Sequence, residues 1–191
     1  MQDIVLDIET LGTKPGCCVL SAGFTLFDLN VQNTFEELLA QSFQLVFDSK
    51  EQVDKGLIVD QKTLAWWYDV AGKNNNAAAT LLGTEGRSLR DFYASLADHT
   101  DAFSLSQLRW FARGPHFDMA ILETAMNVFN VSPPWRYNKV RDARTYIECM
   151  GHDAQKIDLA VPEAFQEHIA MHDTAMEAMR LQYATANRKP L

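Results

Sequence analysis

Residues 5–10 (VLDIET) are apolar apart from Asp7, Glu9 and a final threonine, and the two acids stand two residues apart. The apolar neighbours predict a buried β-strand. Because side chains alternate between the two faces of a strand, both carboxylates point to the same face. Two ionised acids side by side in a half-buried position repel each other and lose hydration, so a positive charge must lie between them. A divalent cation is the simplest candidate, and a solvent-facing acidic edge is the alternative.

Composition and cysteine usage limit what class of protein this is. The 191 residues, 47% of them hydrophobic, suit one domain over residues 1–191 with a sizeable core. The formal net charge of −8 argues against tight, unselective nucleic-acid binding, so any polyanion must be held by local basic groups or by bound metal. Cys17, Cys18 and Cys149 predict buried reduced thiols, because adjacent cysteines do not bridge in ordinary geometry. We therefore expect a cytoplasmic protein, with no apolar run of membrane-spanning length and no signal peptide.

The apolar pattern predicts strands early in the chain and helices later. Strands at 2–9, 17–28 and 42–47 form an antiparallel meander, with helical propensity at 35–39 in an otherwise ambiguous segment. Two later strands are each followed by a helix, and these elements cover 109–112, 117–129, 139–141 and 142–150. Other helices are expected at 48–55, at 61–70, from Ser88 and at 170–186, with a polar loop at 71–76. This order predicts an α/β fold, a mixed sheet of an antiparallel meander plus parallel strands, flanked by helices.

Three further acids are candidates for a metal site or for structural roles. Asp118 follows a short strand and lies in the first turn of a helix, where an acid also complements the helix dipole. Asp173 stands near the start of an otherwise apolar helix, where an acid without a partner is costly. Asp142 has Arg141 and Arg144 nearby, so we expect it to be a helix cap or a member of a structural ion pair.

Two histidines lie close to the last of these acids. A lone histidine is more often a surface or packed residue than a catalytic one. His168 lies five residues before Asp173, in the loop that precedes the helix, and from there an imidazole can reach a water at a metal that Asp173 holds. His172 is adjacent to Asp173 and points elsewhere on the helix, so we expect a structural role for it.

Three short motifs occur in a fixed order along the chain: Asp7-Ile8-Glu9-Thr10, Phe117-Asp118, and His168 four intervening residues before Asp173. Together they resemble the motifs of the DnaQ-like, DEDD-type 3′–5′ exonuclease superfamily, and the histidine spacing is similar to that of its DEDDh branch. Further stretches at 63–67, 110–118, 134–135 and 141–145 resemble the phage and prophage 3′–5′ exonucleases and bacterial 3′–5′ exoribonucleases related to exonuclease VIII. The resemblance covers nearly the whole chain.

The resemblance implies a ribonuclease H-like fold and a metal-dependent 3′–5′ exonuclease. It implies that two divalent cations, Mg²⁺ or Mn²⁺, are held by four carboxylates, namely those of Asp7, Glu9, Asp118 and Asp173. It further implies that His168 is the general base for the attacking water. The expected substrate is the 3′ end of single-stranded DNA or RNA, and the expected products are nucleoside 5′-monophosphates.

Three groups of residues are expected to contact the substrate. By resemblance, the strand end is gripped by the residues that follow the first two acids, which are Thr10, Leu11 and Gly12. Basic side chains that could meet phosphate are Arg113, His116 and Arg144. Trp66 and Trp67 are placed to stack on bases, although two tryptophans on a helix are more often core residues.

Several alternatives stay open at this point. The same fold could serve as a catalytically silent nucleic-acid-binding or scaffolding module, although the complete acid set and His168 argue against it. A third interpretation is an endonuclease or an exonuclease of the opposite polarity. Discrimination between RNA and DNA depends on contacts to the 2′-hydroxyl, and no residue of the sequence indicates such a contact. A homodimer is also open, because the apolar helix near Trp66 and Trp67 fits an interface as well as a core.

Overall fold

The first strand, β1 (Asp3–Thr10), is the centre of a five-stranded sheet. A computed structural model describes residues 3–73, 77, 82, 86–100, 105–157 and 159–189. The other strands are β2 (Val19–Phe27), β3 (Ser42–Val46), β4 (Arg109–Ala112) and β5 (Val140–Asp142). Their order is β3-β2-β1-β4-β5, with antiparallel pairing from β3 to β1 and parallel pairing from β1 to β5. The predicted mixed sheet is confirmed, and it is consistent with a ribonuclease H-like fold.

Helices flank this sheet and connect its strands. In the described part of the chain they are α1 (Phe35–Leu39), α2 (Ser49–Asp54), α3 (Gln61–Lys73), α4 (Phe92–Ala97), α5 (Asp118–Val128), α6 (Ala143–Cys149) and α7 (Ala170–Ala186). Asp142 caps α6, because its Oδ1 accepts a hydrogen bond from the backbone N–H of Thr145 at 2.7 Å. This is one of the two structural roles predicted for that acid. None of the described helices combines the length and apolarity needed to cross a bilayer.

Each face of β1 packs against a different core. Ile4, Leu6 and Ile8 point into the larger core, whereas Val5 belongs to the second core together with the buried side of α7, including Ala175. Asp3, Asp7 and Glu9 share the Val5 face because of the two-residue period of a strand. The acids of β1 therefore lie on the face that α7 covers, and α7 carries Asp173.

The structure corrects some predicted boundaries and one prediction about thiols. The ambiguous segment contains both elements, α1 and then β3. Residues 71–73 continue α3, where the Lys73–Asp69 ion pair of 2.6 Å spans one turn, and the rest of the expected loop, 74–76, lies outside the described residues. Cys17 precedes β2 because it pairs with Ile58 instead. Cys149 is exposed at the last turn of α6, so the prediction that all thiols are buried was wrong for this residue.

Candidate active site

Four predicted acids from three elements meet in one cavity of about 330 Å³. Asp7 and Glu9 come from β1, Asp118 opens α5 and Asp173 lies in the first turn of α7. One carboxylate oxygen from each of Asp7, Glu9 and Asp173 lies within 4.8 Å of the other two. Asp118 lines the same cavity and is buried. The fold thus brings together the three motifs that the sequence separates by more than half of its length.

Asp3 shows how this chain neutralises a buried acid when a guanidinium is available. The side chain of Arg109 donates to both carboxylate oxygens of Asp3, at 2.6 and 2.9 Å. Asp7 and Glu9 lie on the same face of β1, yet within the described residues no lysine or arginine nitrogen approaches either carboxylate within 4.0 Å. The cavity therefore contains acids whose charge the protein does not pair.

Burial and mutual repulsion raise the pKa values of the two β1 acids. Burial is the largest cause of the raised pKa of Asp7, and the charges of Asp118, Glu9 and Asp173 raise it further. Glu9 has a raised pKa for the same reasons, with burial first and then Asp173 and Asp118. Neither carboxylate ionises readily unless positive charge enters the cavity.

The other two acids have pKa values near neutrality. Burial raises the pKa of Asp118 to about 7, although a backbone hydrogen bond from Ile8 and the charge of Arg144 oppose the rise. Burial likewise raises the pKa of Asp173 to about 7, against a backbone hydrogen bond from His168. An all-oxygen donor set with unpaired negative charge is what Mg²⁺ and similar hard cations bind. The residues present therefore fit a divalent metal site.

His168 lies at the rim of this cavity, and His172 lies inside the protein. The Nδ1 atom of His168 is 3.9 Å from Oε1 of Glu9, and the backbone N–H of His168 bonds the carboxylate of Asp173. His168 also has a positive φ of 63°, in the left-handed region. His172 is buried, with its ring 5.9 Å from that of Phe35, as expected for a structural residue. Only His168 is therefore placed to act on a group in the cavity.

Sequence reasoning missed a fifth acid, Glu177, which lines the same cavity. It lies one helical turn after Asp173 on α7, and its Oε2 accepts hydrogen bonds from Arg113 at 2.8 Å and Arg180 at 3.0 Å. The i, i+4 spacing from Asp173 was the only available signal. Arg113 also donates to the backbone oxygen of Ala154 at 2.8 Å, so its guanidinium is held by the protein.

A second, mainly apolar cavity of about 460 Å³ adjoins the first. The two cavities share Ile8, Glu9, Phe117 and His168. The other residues that line the second cavity are Thr10, Gly12, Thr13, Lys62, Thr63, Trp66 and Trp67. A flat apolar group of nucleobase size therefore has space directly beside the acids.

The predicted substrate residues divide between these cavities and positions outside them. Thr10 and Gly12 line the apolar cavity, and Arg144 lines the acidic one. Leu11 is buried and lines neither, and its backbone N–H and oxygen bond Cys18 and Asp60. His116 is exposed and lies outside both cavities. Substrate contacts by Leu11 and His116 stay predictions without a place in either cavity.

The sheet, the acid cavity and the neighbouring histidine define a DnaQ-like 3′–5′ exonuclease. The chain matches the family model described as the 3′–5′ exoribonuclease Rv2179c-like domain over residues 2–185, and it belongs to that family. It is also 26% identical to an exodeoxyribonuclease of Enterobacteria phage T4 over 206 aligned positions, which cover 96% of this chain and 89% of the phage protein. The predicted superfamily and enzyme class are confirmed, and membership of the family implies use of a divalent metal. The prediction of a closest group related to exonuclease VIII stays a prediction.

Proposed function

We propose that this exonuclease acts on the 3′ end of single-stranded nucleic acid, DNA or RNA, and releases nucleoside 5′-monophosphates. The observation that carries the proposal is the meeting of Asp7, Glu9, Asp118 and Asp173 in one cavity, with His168 at its rim. The cavity is lined by five carboxylates and three guanidinium groups. Because a phosphodiester is itself an anion, such a cavity accepts one only when bound cations supply the missing positive charge.

Two divalent cations, Mg²⁺ or Mn²⁺, are the group that these acids would hold. Asp7, Glu9 and Asp173 would hold one, since their oxygens are the mutually close set. Asp118, which lines the same cavity from the start of α5, would contribute to holding the second. Such a pair lowers the pKa of a bound water and stabilises charge on the leaving 3′ oxygen.

His168 is the proposed general base. Its imidazole is partly exposed at the rim, where it can take the proton of the attacking water and return it to solvent. Oε1 of Glu9 lies 3.9 Å from Nδ1, on the side of the ring that faces the acids.

The apolar cavity is the proposed place for the terminal nucleoside. Trp66 and Phe117 each expose a ring at that cavity, and base–aromatic stacking tolerates any base. Thr10 and Gly12 line the side next to the acids, where the terminal sugar would lie. Arg144 would meet a backbone phosphate, because it lines the acidic cavity and has no recorded hydrogen bond within the described residues.

The proposed substrate includes both RNA and DNA. The family model is named for an exoribonuclease, whereas the phage T4 relative is an exodeoxyribonuclease. Matched RNA and DNA oligomers, single- and double-stranded and labelled at the 5′ end, should be digested side by side with Mg²⁺ and with Mn²⁺. A descending ladder with mononucleotide release, suppressed by EDTA, is the expected result. Internal cuts or immediate loss of the 5′ label would overturn the proposed polarity and exonucleolytic action.

Purified Asp7→Ala is the decisive variant, with Asp54→Ala as its matched control. Asp54 is an exposed acid on α2, outside both cavities. Asp7→Ala should abolish hydrolysis while the circular dichroism spectrum persists, and Asp54→Ala should match the wild type. Full activity of Asp7→Ala would refute the metal-centred mechanism. Wild-type protein that binds oligomers but releases no mononucleotides would instead support the silent binding module.

Three further expectations belong to this proposal. Residues 1–191 act as one domain, the protein works in the cytoplasm, and two copies pair as a homodimer. The buried thiols of Cys17 and Cys18 support a reducing compartment. Light scattering combined with size exclusion tests the pairing, and a monomer mass at working concentration would refute it.

A further inference from the structure

Three aromatic rings meet at the boundary between the two cavities: those of Trp66, Trp67 and His168. The ring centroids of Trp66 and His168 are 4.9 Å apart with an interplanar angle of 86°, and those of Trp67 and His168 are 6.0 Å apart at 79°. The two indoles also contact each other, 5.0 Å apart at 72°. We propose that Trp66 and Trp67 are positioning residues that hold the imidazole of His168 in its working orientation. This inference rests on the proposed role of His168 as general base.

His168 needs such support because its own backbone conformation is unfavourable and does not by itself hold the ring in place. A non-glycine residue with φ of 63° pays a conformational cost and persists only where its surroundings enforce it. The 3.9 Å separation from Glu9 is too long for a hydrogen bond, so that contact does not lock the ring. Edge-to-face aromatic contacts are directional, and two of them restrict the rotation of the imidazole about its side-chain bonds.

Trp67 connects this aromatic cluster to the strand that carries the acids. It is only 1% exposed, and its Nε1 donates to the backbone oxygen of Thr10 at 2.9 Å. Thr10 directly follows Glu9 in β1. The position of the His168 ring is therefore set relative to the end of the strand that carries Asp7 and Glu9. A shift of α3 would move the ring and the end of this strand together.

Trp66 is different because it faces the place proposed for the terminal nucleoside. It is 43% exposed and lines the apolar cavity, so the same indole can contact a base on one side and His168 on the other. A role limited to base stacking and a role in positioning His168 make different predictions. Stacking alone operates only when the terminal nucleotide carries a base, whereas positioning operates on any substrate.

An oligomer with a 3′-terminal abasic nucleotide separates these two roles. We expect Trp66→Ala to lower kcat by about 10- to 100-fold on both the abasic oligomer and its normal counterpart. Trp66→Phe, which keeps an aromatic ring, should recover most of that loss. Tyr68→Ala is the matched control, because Tyr68 lies on α3, is 64% exposed and lines neither cavity. Wild-type kcat of Trp66→Ala on the abasic oligomer would overturn the inference.

NMR of the metal-free protein in EDTA provides a readout that is independent of catalysis. The ring protons of His168, assigned by their loss in His168→Ala, should show ring-current shifts from the two indoles. These shifts should move towards free-histidine values in Trp66→Ala and stay unchanged in Tyr68→Ala. Unchanged His168 shifts in Trp66→Ala would overturn the positioning role even if His168 is the general base. Full activity of His168→Ala would instead refute the proposed base, while the NMR result still reports on the ring contacts.

Discussion

Arg113 donates from Nη1 to Oε2 of Glu177 at 2.8 Å and so joins the end of β4 to α7, one turn beyond Asp173. Arg180 shares the same oxygen at 3.0 Å, and the Glu177 side chain is only 4% exposed. A buried carboxylate with two guanidinium partners is a fixed part of the structure. Arg113 thus holds α7 against the sheet at the point where the helix presents its metal-binding acid.

Arg113→Ala should lower the free energy of unfolding by about 2 kcal/mol, because Glu177 loses a charged hydrogen bond while it stays buried. Arg113→Lys should have a stability between those of the wild type and Arg113→Ala, since one ammonium replaces the two guanidinium nitrogens that bond Glu177 and the backbone oxygen of Ala154. Urea denaturation of the metal-free protein measures both, with the exposed Arg188→Ala as control. Unchanged stability with a raised KM would show that Arg113 serves the substrate instead.

Asp7→Asn should make the metal-free protein more stable and the enzyme inactive. Burial first, and then repulsion by neighbouring acids, raises the pKa of Asp7, and the neutral amide has no charge to desolvate or to repel. In EDTA the melting temperature should therefore rise, and the increase that Mg²⁺ or Mn²⁺ gives the wild type should be lost. Thermal melts with and without cation measure both effects, and Asp54→Asn is the control. A lower melting temperature of Asp7→Asn in EDTA would contradict the claim that the Asp7 carboxylate destabilises the metal-free protein.

The stability of the metal-free protein should fall as pH rises from about 4 to about 7. Burial raises the pKa values of Asp118 and Asp173 from their ordinary 3.8 to about 7 in the folded protein, so in this window the folded state keeps protons that the unfolded chain has released. Stability decreases with pH wherever the folded state binds more protons, and it levels off above the folded pKa. Urea titrations in EDTA across this range measure the slope.

The double variant Asp118→Asn/Asp173→Asn identifies the groups responsible for that slope. Its stability should depend less on pH across the same range, because two of the four cavity carboxyls with raised pKa values are gone. Divalent cation should stabilise the wild type more above the folded pKa than below it, since protons and cations compete for the same oxygens. An equal slope in the wild type and the double variant would assign the pH dependence to other groups.

His168→Ala should lower kcat by about 10² to 10⁴-fold while the affinity for divalent cation stays close to that of the wild type. The reason is that the imidazole lies at the rim, whereas the mutually close oxygens belong to Asp7, Glu9 and Asp173. Steady-state kinetics and calorimetric titration with Mn²⁺ measure the two quantities. Parallel loss of activity and cation affinity would make His168 a ligand or a structural residue.

Local chemistry made the acids of the cavity candidates, and the resemblance to DEDD-type exonucleases selected the set of four. An Asp-x-Glu pair inside an apolar strand is out of place wherever the strand lies, and an acid at the start of an apolar helix is equally conspicuous. Glu177 could not be found in this way. An acid on α7 looks like an ordinary surface residue until Arg113, 64 positions earlier, is placed against it.

The tryptophan pair shows a second limit of sequence reasoning. General burial statistics treat Trp66 and Trp67 alike and favour the core for both. Adjacent positions on a helix point about 100° apart, so Trp67 is buried and Trp66 is 43% exposed, although both rings line the apolar cavity. Which of the two is buried depends on the docking of α3 against Thr10, a contact that no local pattern specifies.

Gly23→Ala should disable the site from the neighbouring strand β2, although Gly23 does not line the cavity. It pairs with Asp7 across β1 and β2, and a Cβ there would lie 2.2 Å from the backbone carbon of Ala170, the first residue of α7. The helix would have to move away, and Asp173 and His168 would move with it. We expect a loss of stability of roughly 1–3 kcal/mol or more, weaker binding of Mn²⁺ and a lower kcat. Because the clash is with backbone atoms, the double variant Gly23→Ala/Ala170→Gly should stay defective. Wild-type cation affinity in Gly23→Ala would show that α7 keeps its position despite the added Cβ.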